Sequence, residues 1–372
     1  MSEWQACTLS DVLKFGNGKS RPKEFGEIPV YGGNGILDYT NCSNYSEETI
    51  VIGRVGAYCG ATYYENNEIW VSDNALSAKA LNGNDAKFLY YFLKNLDLNQ
   101  FAQGSSHPLL TQTLLNSIEV IVPSSCSEQK AIASVLSSLD DKIDLLHRQN
   151  KTLEAMAETL FRQWFIEEAK EDWEEKTIGD IFTIKGGGTP STKEPSYWDG
   201  SIAWTSPRDL STAKSLYMFS TERTITELGL TKVSSGLLPV GTLLMSSRAP
   251  IGYLALTDIE VAVNQGYIAI LKHDLYSNEF MYLWCKANME LIKNSGNGSV
   301  FQEISKASFR ELPFVCPPEP LLKRFNGYCI NWFSKIKLNA KQIQTLENLR
   351  DTLLPRLMSG EVRVQYQTED VA

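Results

Sequence analysis

Apolar residues recur at alternating spacings of three and four along two long stretches of the chain, 128–165 and 321–357. This 3.5-residue repeat is typical of a coiled coil, and it continues over more than four heptads in each stretch. The alternative is two separate helices, each packed on its own domain, but such helices normally carry a wider stripe with a 3.6-residue period. The pattern therefore predicts two long helices that pair. Their repeat positions are Ile132, Leu136, Leu139, Ile143, Leu146, Asn150, Leu153, Ala157, Leu160 and Trp164, then Phe325, Cys329, Trp332, Ile336, Asn339, Ile343, Leu346, Arg350, Leu353 and Leu357.

Each helical stretch has one asparagine in its apolar repeat, Asn150 in the first and Asn339 in the second. A polar residue at such a position costs stability but specifies how two helices align. If the helices run antiparallel with full overlap, Trp164 faces Phe325 and Asn150 falls opposite Asn339. The sequence therefore predicts an antiparallel pair about 50 Å long, at ~1.5 Å per residue, that is aligned by these two amides.

The chain is also duplicated, because the helical positions correspond at an offset of 193 and the prolines before the helices, Pro123 and Pro317, each close a strand-like run. Such a period is far longer than the roughly 20–50 residues of a solenoid unit. The repeating unit is therefore a globular domain followed by a long helix. The predicted boundaries are 1–126 (first domain), 127–168 (central helix), 169–318 (second domain), 319–360 (C-terminal helix) and 361–372 (tail).

Both globular domains mix short strand-like runs with glycine- and asparagine-rich turns and a few helices. The predicted fold class is mixed α/β (α+β), with two globular domains separated by two long antiparallel coiled-coil helices in a pseudo-two-fold arrangement. The predicted strands are Ile50 to Ile52, Ile69 to Val71, Ile118 to Val122, Leu243 to Met245 and Tyr267 to Leu271, and the predicted domain helices are Ala86 to Leu96 and Glu279 to Ile292.

Composition and charge narrow the function classes. No apolar run approaches the ~20 residues of a membrane span, and the first residues show no signal-peptide pattern. The seven cysteines are scattered, which favours a reducing, cytoplasmic location. The net charge is −9, and only residues 319–372 are net positive. Because Lys and Arg supply most non-specific affinity for phosphate, this balance disfavours a protein that holds nucleic acid alone.

Catalytic and metal-binding motifs are missing. The segment 15–20 ends like a phosphate-binding loop, but Leu13 stands where that loop needs its first glycine. Glycines 186–188 lack the Lys-Ser/Thr that would follow in such a loop, and the three histidines have no other ligand at metal-binding spacing. The sequence therefore predicts no catalytic residue, no metal site and no cofactor in this chain.

Polar and basic side chains instead recur on turns at similar places in both domains. Arg and Lys can donate to guanine, and Asn and Gln pair with adenine, so these residues suit the reading of base edges. The alternative for each is an ordinary solvated turn. Arg54 and Arg248 are the strongest, because each follows a buried-looking strand and both are interpreted as one repeat position. The candidates are Lys19, Arg21, Asn34, Arg54, Asn74 and His107 in the first domain, and Lys185, Thr189, Arg208, Ser247, Arg248, Asn264 and Gln265 in the second.

Three segments carry a family resemblance. Residues 185–210 (KGGGTPSTKEPSYWDGSIAWTSPRDL) resemble the start of a target-recognition domain in the specificity subunit of type I restriction–modification enzymes, and the helix ends at 158–165 and 349–361 resemble the same family. The first domain has typical "YGGNGI" and "IGRVGAYCG" stretches but lacks the GGTP opening. The resemblance covers nearly the whole chain and implies a non-catalytic subunit that reads an asymmetric, bipartite site on double-stranded DNA.

The resemblance also implies partners. The paired helices are expected to space the half-sites and to dock two modification (methyltransferase) subunits, which bind S-adenosylmethionine and methylate adenine. Restriction (motor–nuclease) subunits are expected to use ATP and Mg²⁺. Partners with basic clefts would supply the grip on phosphate that this acidic chain lacks. The helix residues assigned to spacing and docking are Asn150, Leu153, Trp164, Asn339, Leu346 and Leu353.

Two other functions are open at this point. The chain could be a methyltransferase in its own right, although it lacks both the cofactor glycine motif and the catalytic aromatic motif of that class. It could also be a helical interaction scaffold that does not read DNA.

Overall fold

The computed structural model describes residues 3–104, 108–297 and 302–365. The chain forms two compact units. The first consists of Met1–Asp144 with Thr345–Ala372, and the second of Leu145–Gln344. The predicted boundaries lie where globular domain changes to helix, whereas the compact units divide within both long helices. Each unit therefore contains part of each long helix.

The helices within the described residues follow the predicted order. Three short 3-10 turns lie at Gly56–Tyr58, Leu98–Phe101 and Pro195–Tyr197, and a π-helical turn, Gln163–Glu167, follows the first long helix. The α-helices are α1 (Leu9–Val12), α2 (Ala86–Asn95), α3 (Gln112–Asn116), α4 (Cys126–Arg162), α5 (Ile178–Ile181), α6 (Pro207–Ser211), α7 (Glu227–Leu230), α8 (Asn278–Ala287), α9 (Met289–Asn294), α10 (Lys306–Arg310) and α11 (Glu319–Met358).

The strands divide between the units, and all five predicted runs are found as strands. The first unit contains β1 (Trp4–Thr8), β2 (Leu13–Asn17), β3 (Ile28–Gly32), β4 (Gly35–Thr40), β5 (Thr49–Gly53), β6 (Thr62–Glu65), β7 (Trp70–Val71), β8 (Ala75–Ala80) and β9 (Glu119–Pro123). The second contains β10 (Glu174–Thr177), β11 (Ile184–Lys185), β12 (Trp198–Thr205), β13 (Tyr217–Met218), β14 (Arg223–Ile225), β15 (Leu243–Ser246), β16 (Leu254–Thr257), β17 (Ala262–Val263), β18 (Tyr267–Ile270) and β19 (Pro313–Cys316).

The two units repeat one sheet topology. In the first, the strand orders are β2-β8-β5-β6, β4-β3-β7 and β1-β9. In the second they are β11-β18-β15-β16-β13, β14-β12-β17 and β10-β19. The orders match strand by strand, and β13 is the only addition within the described residues. The duplication predicted from sequence is therefore confirmed.

The central strand of the first unit is buried on both faces, as its continuous apolar run predicts. Ile50 and Ile52 of β5 point to a core shared with α2 and with the ends of the long helices. Val51 points the other way, to the three-stranded sheet. In the second unit Leu243 and Leu244 of β15 divide between two cores in the same manner. The central strand of each unit is thus covered on both faces.

The long helices are antiparallel within the second unit. The Asn339 amide nitrogen donates to the Asn150 side-chain oxygen at 2.9 Å. Fourteen residues further along the chain, Trp164 of the π-helical turn after α4 faces Phe325, with 6.1 Å between ring centroids. The alignment by two amides predicted from the heptads is therefore confirmed, and Asn339 is fully buried in the seam.

The same antiparallel direction holds in the first unit. The Arg350 guanidinium donates to the carboxylate of Asp140 at 2.7 Å, and that carboxylate also accepts from the Tyr91 hydroxyl of α2 at 2.7 Å. Burial and this hydrogen bond raise the pKa of Tyr91 above its ordinary value, so the hydroxyl remains a donor at neutral pH. The network ties both long helices to the globular part of the first unit.

The residues after α11 are more than a free tail. The Arg363 guanidinium donates to the carboxylate of Glu128 at 2.6 Å and lies over the Trp4 ring. Glu128 is fully buried at the start of α4. Residues 361–365 of the predicted tail therefore pack in the first unit, and the rest of the tail lies outside the described residues.

One predicted helix is wrong in its continuity. The stretch Glu279 to Ile292 forms two helices, α8 and α9, which meet at Asn288. Asn288 leaves helical geometry with φ −104° and ψ 19°, and its side-chain amide donates to the Trp284 carbonyl. Asparagine competes for backbone hydrogen bonds in this way, which ends the first helix.

Candidate nucleic-acid interface

Several polar loop residues of the first unit gather at the ends of strands β2, β3, β5 and β8. The Lys19 amide donates to the Val71 carbonyl at 3.0 Å, and the Arg54 amide donates to the Asn74 carbonyl at 3.0 Å. Asn34 lies in the two-residue turn between β3 and β4. A Cβ placed on its neighbour Gly33 would lie 3.5 Å from the Asn74 carbonyl oxygen. We call Lys19, Asn34, Arg54, Val55 and Asn74 the first loop edge.

The second unit gathers its own candidates at the corresponding strand ends. The Asn264 amide donates to the Thr205 carbonyl at 3.0 Å, just before α6 with its exposed Arg208. The Thr189 hydroxyl donates to the Gln265 side-chain oxygen at 2.6 Å. A Cβ on Gly266 would lie 3.4 Å from Nε of Arg248. Thr189, Arg208, Arg248, Asn264 and Gln265 form the second loop edge.

Two glycines show why the edges can form. A Cβ on Gly18 would overlap the Ser72 carbonyl oxygen, and a Cβ on Gly187 would overlap the Val263 carbonyl oxygen. In both units the chain after β2 or β11 therefore passes directly against the neighbouring backbone, which only glycine allows. Lys19 and Gly188, one residue later, donate to equivalent carbonyls.

Hydrogen-bond register shows which loop residues correspond between the units. The Arg54 carbonyl accepts from the Leu110 amide, and the Ser247 carbonyl accepts from the Ile304 amide. Arg54 therefore matches Ser247. The prediction that Arg54 and Arg248 occupy one repeat position is wrong, because Val55 is the residue that matches Arg248.

This shift by one residue changes what each arginine can do, since successive residues of an extended segment point to opposite sides. Nε of Arg54 is buried and has no hydrogen-bond partner among the described residues. Ser247 is buried likewise, at 3% exposure. The Arg248 side chain is 41% exposed and lies 3.7 Å from the carboxylate of Glu303. Val55, in the matching position, is 38% exposed.

Behind the second loop edge a buried tyrosine fixes the start of α6. The Tyr267 hydroxyl donates to the Ser206 carbonyl at 2.7 Å and lies 3.1 Å from the Thr205 hydroxyl. Burial raises the pKa of Tyr267 above its ordinary value, although the hydrogen bond with Thr205 opposes the shift. The phenol therefore stays protonated at neutral pH and positions the helix that carries Arg208.

Two predicted residues stand apart from the edges. Arg21 forms an ion pair with Asp38 of β4. Lys185 lies within β11 and its ammonium donates to the Ser235 carbonyl at 3.4 Å, which occupies one of its donors. His107 lies outside the described residues.

The predicted helix residues line the seam instead of the outer surface. Asn339 is fully buried, and Asn150, Leu153, Trp164, Leu346 and Leu353 are half-buried. The exposed apolar residues of the helices were missed, because a heptad search selects only seam positions. They are Leu145, Met156, Tyr328, Ile330, Leu338 and Leu349.

Residues 3–104, 108–297 and 302–365 contain no group of three or more His, Cys, Asp and Glu side chains placed to hold a metal ion. Within the same residues, no helix combines the length and the apolar character that a membrane crossing requires.

The fold defines a class of protein with two copies of a mixed sheet domain, each followed by a long helix, and with a loop edge in each copy. The chain belongs to the family of the type I restriction modification DNA specificity domain, whose sequence profile matches residues 1–155 and 170–348.

Individual relatives agree with this assignment. The MjaIX specificity subunit of a type I restriction enzyme from Methanocaldococcus jannaschii is 37% identical over 44% of this chain and 38% of its own length. The chain thus matches less than half of that relative. The HindI specificity subunit from Haemophilus influenzae is 20% identical over 74% of this chain and 77% of the relative. A crystal structure of a type I system S subunit from M. genitalium shares the fold, with a TM-score of 0.67 at 20% identity, over 99% of this chain and 97% of that one.

Proposed function

We propose that this chain is the DNA-reading subunit of a type I restriction–modification complex, and that each loop edge reads one half of a bipartite site. The observation that carries the proposal is the repeated geometry of the edges. In both units donors and acceptors lie at the same strand ends, on backbone held from behind by a doubly buried sheet. Because the side chains of the two edges differ, the two half-sites differ as well.

Partner subunits complete this function. The helices expose apolar residues, among them Met156, Ile330 and Leu338, each at least 45% exposed. We propose that two modification subunits cover such residues, and that restriction subunits join the same assembly. S-adenosylmethionine, ATP and Mg²⁺ then belong to those partners, and this chain contributes target choice without catalysis.

A mobility-shift assay tests the proposal. With net charge −9, the chain alone should bind DNA weakly and lose binding steeply as salt rises. Addition of the modification subunits should produce a sequence-specific complex. The control is a duplex with both half-sites scrambled. A methyltransferase in its own right would modify DNA without partners, and a pure scaffold would give the same shift on both duplexes, so either result would refute DNA reading by this chain.

The length of the paired helices should set the gap between half-sites. Insertion of one heptad into α4 after Asp144 and one into α11 after Gln344 adds ~10 Å, close to three base pairs at ~3.4 Å each. Methylome sequencing should then show unchanged half-sites and a longer gap. A control with the same seven residues added after Gln365 should leave the gap alone. A variant that still methylates with the original gap would contradict the spacer role.

A further inference from the structure

One pair of facing residues occupies the same place in both units but differs in chemistry. Val55 forms an isolated antiparallel bridge with Leu109, and Arg248 forms one with Glu303. The residues that follow, Leu110 and Ile304, donate to equivalent carbonyls in both units. One position is therefore occupied by an apolar pair in the first unit and by an ion pair in the second.

Each pair joins one residue of a loop edge, Val55 or Arg248, to a residue of a neighbouring segment, and its side chains are accessible. Val55 is 38% exposed, and the Arg248 and Glu303 side chains are 41% and 49% exposed. Gln103 also bridges Leu109, and Asn297 bridges Glu303. Each pair thus lies on a small backbone ladder that includes one residue of its loop edge.

A role in holding the fold together does not explain the ion pair. Its nitrogen and oxygen are 3.7 Å apart, beyond a hydrogen bond, and half-exposed pairs of this kind add little stability. The first unit builds the same ladder with Val55 and Leu109 and needs no charge there. Arg248 and Glu303 can therefore separate, and each can bind a group outside the protein.

We infer, on the basis of the proposed function, that the pair at this position determines base specificity in each unit. Arg248 donates to N7 and O6 of guanine while Glu303 accepts from N4 of cytosine, so the second unit reads a G·C pair. Val55 and Leu109 offer no hydrogen bond but fit the thymine methyl group, so the first unit reads an A·T pair at the matching position.

The experiment exchanges the pairs in the full chain assembled with its modification subunits. The variant Arg248→Val with Glu303→Leu gives the second unit the chemistry of the first. Methylome sequencing should show that one position in one half-site loses its G·C preference by roughly 10- to 100-fold. The reciprocal variant, Val55→Arg with Leu109→Glu, should introduce a G·C preference in the other half-site only.

A matched control removes an exposed ion pair elsewhere in the second unit. Lys176 and Glu174 of β10 are also paired and exposed, so Lys176→Val with Glu174→Leu makes the same chemical change away from the loop edge. This control should leave the methylated motif intact. A motif that changes in the control as well would overturn the inference.

The reversed pair, Arg248→Glu with Glu303→Arg, keeps both charges. It therefore distinguishes a change of specificity from a loss of folding in the exchanged variants. It should bind C·G in preference to G·C at that position when duplexes with each base pair are compared by mobility shift. Either an unchanged motif in the exchanged variants or an equal loss of binding to all four duplexes would overturn this inference and leave the proposed function untouched. Absence of any bipartite motif for the unaltered complex would instead refute the proposed function.

Discussion

Replacement of Phe325 by alanine should destabilise the second unit by about 3–5 kcal/mol. The Phe325 ring is fully buried. Its centroid lies 4.9 Å from that of Phe165, 5.9 Å from Phe280 and 6.0 Å from Phe161. The substitution removes a buried aromatic side chain and leaves a cavity at the point where α4, α8 and α11 meet.

Hydrogen exchange followed by mass spectrometry measures this loss unit by unit, which a single melting temperature cannot do for a chain of two units. Amides of residues 145–344 should exchange faster in Phe325→Ala. The matched control is Phe25→Ala, since that ring is 82% exposed and its loss should change stability by less than about 0.5 kcal/mol. Equal protection in both variants would show that the aromatic cluster does not stabilise the unit.

Replacement of Arg363 by alanine should destabilise the first unit by about 3 kcal/mol. The carboxylate of Glu128 is fully buried and accepts from Arg363 at 2.6 Å. It also accepts from the Trp4 indole at 3.4 Å. Removal of the guanidinium leaves the buried carboxylate of Glu128 without this cation, and an alanine side chain cannot cover the Trp4 ring. Faster exchange should appear in residues 3–144 and 345–365.

The double variant Arg363→Leu with Glu128→Leu separates charge from packing. Because both ions are removed, it should recover most of the stability that Arg363→Ala loses. Arg356→Ala is the control, since its ion pair with Glu361 is exposed at 49% and 59% and should contribute less than about 1 kcal/mol. A double variant as unstable as Arg363→Ala would refute the electrostatic explanation.

The pairing of the long helices could be predicted in detail because its register depends on the spacing of apolar residues along each helix. A heptad repeat specifies which residues meet once the direction of the helices is known, and the two asparagines then fall opposite each other. The observed bond from Asn339 to Asn150 follows from the sequence spacing together with the antiparallel direction and full overlap of the helices. The strands were found for a similar reason, since buried runs such as β5 and β15 are locally apolar.

The loop edges could be predicted only in part. The turns that carry Lys19, Asn34 and Asn74 were predicted from the sequence and lie between strands in the structure, whereas the role of these residues in DNA reading stays a prediction. The match of Arg54 with Arg248 failed because it rested only on an arginine that follows a strand in each domain. The register depends instead on hydrogen bonds to residues nearly sixty positions away, from Leu110 to Arg54 and from Ile304 to Ser247. Glu303 and Leu109 were missed for the same reason, because each becomes a candidate only when its bridge partner, Arg248 or Val55, is known.

The division of α11 between the units has a consequence for synthesis on the ribosome. The second unit is made of one continuous stretch, 145–344, whereas the first unit needs residues from both sides of that stretch. The core of the first unit includes Leu354, Leu357 and Met358, which are synthesised after the whole of the second unit. The unit whose synthesis begins first is therefore completed after the other, and the apolar surface that these three residues cover stays open while residues 145–344 are made.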